Sequence, residues 1–271
     1  VVRAPGRRRL SAPRRLPDAP HALITGSSGA IGGAIARELR RRRPAARLSL
    51  LDRDGPASAA LAGALGGATR VVACDLGRLD DLPQVVVDAA AALGPIDVLV
   101  NCAGVMDVRS VAGMPWERAE ALLKVDLIAP LRLQHACVEG MLARGRGWIV
   151  NVSSMAGRMP LKGCAYYGAA KAGLAMASEV ARAELSPRGV AVLTVYPGPV
   201  ASGLERGARS QFPPSLVARA IPTGDAAELA RRLLDALERG AARVIYPAAY
   251  SLGRVPFAGA VALALGPTPS T

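Results

Sequence analysis

The chain has 271 residues, 51% hydrophobic and 20% charged, with 34 Lys and Arg against 21 Asp and Glu. That length and apolar content suit one large α/β domain and exclude a disordered chain, and no apolar run reaches the ~18 residues needed to span a bilayer. The net charge of +13 raises nucleic acid as a partner, but the excess is almost all Arg amid abundant Ala, Gly and Pro, and aromatics are 3%. The pattern reads as codon bias with too few stacking platforms, so no specific nucleic acid is expected.

In chain order, residues 1–20 form a Pro- and Arg-rich basic tail without apolar periodicity, expected to be a solvated arm. Residues 21–250 read as one domain. His21–Thr25 is a strand and Ala30–Arg43 a helix, with Ile31, Ile35 and Leu39 on one face and Arg40–Arg43 complementing the helix dipole at its end. Strands at Arg47–Leu51, Arg70–Cys74 and Ile96–Val100 alternate with helices at Pro56–Leu65 and Leu79–Leu93. A long helix runs from Pro115 to Ala143, followed by a strand at Gly147–Val152, a helix at Ala165–Leu185 and a strand at Gly189–Val195. Residues 203–222 read as an irregular lid. A helix at Asp225–Arg239 and a strand at Arg243–Tyr246 close the domain, and 251–271 form an apolar extension. Repeated βαβ units predict a Rossmann-type doubly wound parallel sheet of about seven strands, with helices on both faces.

The first strand and helix are joined by Thr25-Gly26-Ser27-Ser28-Gly29-Ala30-Ile31-Gly32. Glycines at such a junction let backbone N–H groups approach a pyrophosphate at the helix N-terminus, although a tight βα turn alone would use them too. Asp52 ends the second strand, 20 residues past Gly32, where an acid accepts hydrogen bonds from ribose hydroxyls. Its charge would repel a 2′-phosphate, so NAD is expected over NADP, with Arg53 the residue able to reverse that choice. Asp75-Leu76 ends the third strand, toward the adenine edge or as a cap for the following helix. Asn101-Cys102-Ala103-Gly104 ends the fourth, at the carboxyl edge where open parallel sheets bind ligands, or as an Asx turn.

Tyr167 and Lys171, four residues apart in one helix, share a face, and Ser154 lies thirteen residues before Tyr167. A free phenol, with pKa ~10, is a poor base at neutral pH. A neighbouring ammonium favours the phenolate, and a shift of about three units needs roughly 4 kcal/mol. Tyr166 is five residues from Lys171 and is expected to point elsewhere.

With these motifs in order, the chain resembles the compact single-domain branch of the short-chain dehydrogenases/reductases. The match runs through Thr25–Gly32, Asn101–Gly104, Ser154, Tyr167, Lys171 and Pro197-Gly198-Pro199-Val200-Ala201-Ser202, over about residues 21–202. The resemblance implies an NAD(P)-dependent oxidoreductase that moves a hydride between a nicotinamide and a secondary alcohol or ketone. It implies that Ser154 holds the substrate oxygen, that Tyr167 exchanges a proton with it, and that Lys171 holds the nicotinamide ribose and tunes the phenol. It implies cofactor contacts at Gly26, Ser28, Gly29, Ile31, Gly32, Asp52, Arg53, Asp75, Leu76, Asn101, Ala103, Gly104, Pro197, Gly198, Val200 and Ser202, the last in the place of the usual Thr. One departure is Asp126, where the resemblance calls for an Asn in a water-mediated proton relay. Its backbone carbonyl could still serve, whereas an ionised side chain near Lys171 would raise the lysine pKa and screen its effect on Tyr167. The resemblance also implies a homodimer or homotetramer paired through the long helices.

Other readings have weaker support. Cys74, Cys102, Cys137 and Cys164 lack metal or disulfide spacing, so no metal is expected, and reduced thiols point to the cytoplasm. His21 and His135, the only histidines, sit in no hydrolase motif and read as structural. Val255–Leu265, about 16 Å as a helix, is too short to span a membrane and reads as packing or a subunit contact. A catalytically idle nucleotide-binding regulator would keep the glycines without needing Ser154, Tyr167 and Lys171. A polyanion-binding protein would depend on residues 1–20.

Overall fold

Each strand carries apolar residues at both odd and even positions, the pattern of a sheet covered on two sides. In the computed structural model, which describes residues 15–211 and 223–251, that covering takes the expected doubly wound form. The strands are β1 (His21–Thr25), β2 (Arg47–Asp52), β3 (Thr69–Ala73), β4 (Val98–Asn101), β5 (Gly147–Val152), β6 (Val190–Pro197) and β7 (Arg243–Tyr246). They form one seven-stranded sheet in the order β3-β2-β1-β4-β5-β6-β7, with all neighbours parallel. The helices are α1 (Ala30–Arg42), α2 (Gly55–Leu65), α3 (Leu82–Leu93), α4 (Trp116–Leu123), α5 (Ala129–Ala143), α6 (Ala165–Leu185), α7 (Gly203–Arg209) and α8 (Ala226–Glu238).

Strand residues divide by parity between two cores. Ala22, Ile24, Leu48, Leu50, Val98 and Val100 pack with α1, α2 and α8. Leu23, Leu51, Leu99 and Ile149 face the other way, onto α3, α5 and α6. The chain leaves β1 toward β2 on one side and returns to β4 on the other. That switch point opens a crevice at the carboxyl ends of β1 and β4.

Several boundaries differ from expectation. The packed chain begins before residue 21: Leu16 joins the core, and the Arg47 amide donates to the Pro20 carbonyl. β6 continues through Pro197, and β3 begins at Thr69 and ends at Ala73. Pro83 holds α3 to a start at Leu82, after a 3₁₀ turn at Leu79–Asp81. The expected helix over 115–143 is two helices joined by a π turn at Lys124–Ile128, where the Ala129 amide reaches back to the Lys124 carbonyl. Pro130, four residues after Asp126, has no N–H for the Asp126 carbonyl, so regular α geometry has one less bond to lose here. The segment expected to be irregular from 203 contains α7, capped by Ser202, whose Oγ accepts from the Glu205 amide at 3.0 Å. Residues 212–222 and the apolar run Val255–Leu265 lie outside the described residues.

The Arg40–Arg43 cluster does more than complement a dipole. Arg42 bonds Glu38 and Asp235, Arg43 bonds Glu238, and Arg40 bonds the carbonyls of Pro44, Ala46 and Gly66. The cluster ties α1 to α8 and to the end of α2, so much of this positive charge is internally paired. Arg41 and Arg42 hold the Glu38 carboxyl down to about 2. His21 is fully buried, with Nδ1 2.6 Å from the Gly94 carbonyl and Nε2 2.8 Å from Ser49 Oγ, and burial lowers its pKa. It is a neutral structural histidine, as expected. Among the described residues, no helix is long and apolar enough to cross a membrane.

Candidate active site

The first wall of the crevice is backbone. Gly26 takes φ +67°, which L side chains rarely adopt, and its amide donates to the Leu51 carbonyl. A Cβ on Gly32 would lie 2.2 Å from the Gly26 carbonyl oxygen, so only glycine lets α1 start this close beneath the turn. A Cβ on Gly26 itself would meet Ala103 Cα at 2.7 Å, which places the β4 end against the turn. The N-cap of α1, Gly29, brings no side-chain hydrogen bond, and the first turn has no acid. Unfilled amides and a positive helix end fit the pyrophosphate of a dinucleotide.

Asp52 is bonded into this wall: Oδ2 accepts from the Ser28 amide at 2.8 Å and Oδ1 from the Asp54 amide at 3.0 Å. A carboxylate has about four acceptor sites, so capacity remains for hydroxyl donors such as those of a ribose. Ser28, Gly29 and Arg53 are exposed, while Ile31 is half-buried against the core.

The facing wall is made of side chains. Ser154 follows β5, caps a 3₁₀ turn and accepts from the Ala156 amide at 3.1 Å. A Cβ on Gly157 would lie 2.7 Å from the backbone of Lys171, so the turn lies directly on α6 and brings Ser154 to Tyr167. Ser154 stands close enough to Tyr167 for its hydroxyl to favour the ionised phenol. Lys171 is 3% exposed; its Nζ donates to the Val152 carbonyl at 3.3 Å and lies 5.8 Å from the Tyr167 ring centre. Tyr166 turns aside, as expected, and packs edge-on against Trp116 at 6.4 Å.

Asp126, fully buried in the π turn, completes this wall. Its Oδ1 accepts from the Val105 amide at 2.8 Å, and its Oδ2 lies 3.6 Å from Lys171 Nζ with no hydrogen-bond partner. A Cβ on Gly104 would be 3.3 Å from both Asp126 Oδ1 and Lys171 Nζ, so the β4 end lies over the pair. Burial pushes the Asp126 carboxyl upward despite the ammonium. Burial alone pushes Lys171 down, but Asp126 and Tyr167 outweigh it and the ammonium is stabilised. For Tyr167, burial dominates and raises the phenol; Lys171 and Ser154 pull it back, and Asp126 adds to the rise. Lys171 pulls the phenol down as expected, but in the chain by itself desolvation outweighs the ammonium, so the net lowering of about three units is not seen.

The remaining expected residues divide. Asn101 turns its side chain inward, donating to the Pro130 carbonyl and to Asn151 Oδ1, so it fixes α5 rather than facing the crevice. Leu76 is buried in the core, and Asp75 is exposed and accepts from the Gly77 amide in a local turn, without capping the following helix as its alternative reading had it. Pro197 ends β6, the Gly198 amide donates to the Tyr246 carbonyl, and Val200 bridges to Gly224.

Sequence reasoning gave the Thr25 side chain no role of its own and missed Ser153. Thr25 Oγ1 accepts from the amides of both Cys102 and Ala103 at 3.0 Å, clipping β1 to the β4 end. Ser153 Oγ donates to the Lys171 carbonyl at 2.7 Å. The only signal for either was a hydroxyl at a strand end. The four cysteines are free thiols; burial pushes Cys102 and Cys137 up to about 12 and Cys164 to about 11, which makes them poor nucleophiles. Among the described residues, no group of three or more His, Cys, Asp or Glu could hold a metal ion.

Comparison with known proteins adds to this geometry. The family model described as short chain dehydrogenase matches residues 20–212. An acetoacetyl-CoA reductase of Allochromatium vinosum is 33% identical over 68% of this chain and 76% of its own. A D-threitol dehydrogenase of Mycolicibacterium smegmatis is 33% identical over 76% of this chain and 80% of its own. Among solved structures, a short-chain dehydrogenase from Sphingobium yanoikuyae in complex with NADPH superposes with a TM-score of 0.77, at 29% identity, covering 89% of this chain and 93% of that one.

Proposed function

From the premise that this chain belongs to the short-chain dehydrogenase family, whose model spans residues 20–212, we propose that it interconverts a secondary alcohol and a ketone, with Tyr167 as the general acid and base. The single observation that carries the reading is the grouping of half-buried Ser154 with the buried Tyr167 and Lys171 on the wall facing the glycine turn. A bound nicotinamide dinucleotide would supply or accept the hydride. The amides at the α1 N-terminus would hold its pyrophosphate, and Asp52 its adenosine ribose. Ser154 would donate to the substrate oxygen while Tyr167 passes its proton to or from the same atom. Lys171, inside the site and held charged, would stabilise the phenolate whenever Tyr167 has given its proton away. The side chains of Asn101 and Leu76 take no part in this reading, and Pro197, Gly198, Val200 and Ser202 would border the nicotinamide.

NAD remains favoured over NADP in this reading because the Asp52 carboxylate lies against the turn and Arg53 stands free in solvent. The NADPH bound by the Sphingobium relative makes that preference the first point to test. The reading includes self-association, since Trp116, Met176 and Val180 are apolar, exposed and carried by α4 and α6. Light scattering measures it. The deciding experiment is fluorescence titration with NADH and NADPH, followed by a panel of secondary alcohols and ketones. Tighter binding of NADH with turnover of at least one substrate supports the proposal; binding without turnover across the panel favours the idle nucleotide-binding regulator.

A further inference from the structure

Lys171 lies between two groups that compete for its charge. Asp126 Oδ2 is 3.6 Å from Nζ, fully buried and without another partner, while the Tyr167 ring centre is 5.8 Å away. The Asp126 main chain is fixed by the π turn and its other oxygen by the Val105 amide, so the carboxylate cannot swing to solvent. We propose that Asp126 is a positioning residue that anchors Lys171 from behind and opposes its pull on Tyr167, setting the site for carbonyl reduction with Tyr167 as proton donor. This rests on the proposed function above. In reduction the Tyr167 O–H bond breaks, its proton goes to the substrate oxygen, and the phenolate regains a proton from water, while the hydride comes from a reduced nicotinamide dinucleotide. Oxidation needs the phenolate at the outset, and a countered ammonium makes that form rarer.

The groups facing Tyr167 are few. They are Lys171 on its own helix, Asp126 from the π turn, Ser154 from the β5 end and Cys164 just before α6. Cys102, after β4, faces Lys171. Both thiols are held protonated by burial, so among the described residues Asp126 is the one carboxylate set against the ammonium.

The test is Asp126→Asn, which can keep an oxygen for the Val105 amide. The first readout is the phenolate absorbance of the dinucleotide-free protein against pH, with Tyr167→Phe subtracted to isolate the Tyr167 signal. The ionisation midpoint is expected to fall by about one pH unit or more in Asp126→Asn. With dinucleotide and a working substrate pair, the oxidation-to-reduction ratio at neutral pH is expected to rise about tenfold. An unchanged midpoint, or a higher one because Lys171 loses its charge without Asp126, overturns the proposal. If Asp126→Asn does not fold, Asp126→Ser takes its place in the same titration: a fall in the Tyr167 midpoint supports the proposal, and an unchanged or higher one overturns it. None of these titrations needs turnover, so this proposal can fail while the oxidoreductase reading stands, and turnover retained in Tyr167→Phe would sink that reading separately.

Discussion

At the β1–α1 turn the atoms lining the crevice are main-chain amides packed so closely that a Cβ on Gly32 would come within 2.2 Å of a carbonyl oxygen. Across the crevice, on α6 and the π turn, the lining atoms are a phenol, an ammonium and a carboxylate, all buried. The first wall works by the absence of side chains and the second by their charge. A backbone wall is sensitive to volume, and a charged wall to the identity and protonation of single atoms. Substitutions that leave one wall indifferent should therefore disable the other.

The largest expected effect lies on the charged wall. Tyr167→Phe removes one oxygen from a ring that otherwise stays in place, and turnover should fall by about 10²- to 10⁴-fold. The melting temperature and dinucleotide affinity should change little, as steady-state rates beside a thermal melt will show. On the backbone wall, Gly32→Ala should cost about 1–3 kcal/mol of stability by overpacking. It should also weaken dinucleotide binding, because α1 must draw back from the turn; thermal denaturation and fluorescence titration measure both. A melting temperature equal to that of the unaltered protein would remove the contrast between the walls.

The sheet's outer layer gives a smaller effect that depends on pH. Glu38 is held down from 4.5 to about 2 by Arg41 and Arg42. Its contribution is complete above the unfolded carboxyl's pKa and fades as pH falls from 4.5 toward 2. Glu38→Gln should lower the melting temperature by a few degrees at pH 7 and flatten its decline across that window. The smallest effect should have the opposite sign. Gly63, within α2, has nothing within 4 Å of where a Cβ would sit, so Gly63→Ala should stabilise by about 0.5–1 kcal/mol in a chemical denaturation series.

The backbone wall was legible in advance because it leaves a compositional trace: glycines at fixed spacing, then an acid at the next strand tip. Tyr167 and Lys171 were legible from helical spacing alone. The π turn was not, since a single added residue in a helix keeps the apolar stripe on both sides and alters only its phase. The Arg42 pairs were equally hidden, because Asp235 lies 193 residues away in the chain and only the fold brings it near. The Asn101 amide group was hidden for a related reason: the strand tip marks where its backbone lies, but the side chain follows Pro130 and Asn151 into the interior. The Tyr167 phenol shows the same limit in energy. The sequence reveals the neighbouring ammonium, while the degree of burial that outweighs it emerges only when α6 is packed.

The hydroxyl of Ser202 receives the Glu205 amide and still has its own hydrogen to give. One atom therefore caps α7 and, among the described residues, keeps a hydrogen to donate. Whatever takes that hydrogen also tugs on the first turn of α7, so a ligand at this hydroxyl would be felt along the helix that follows it.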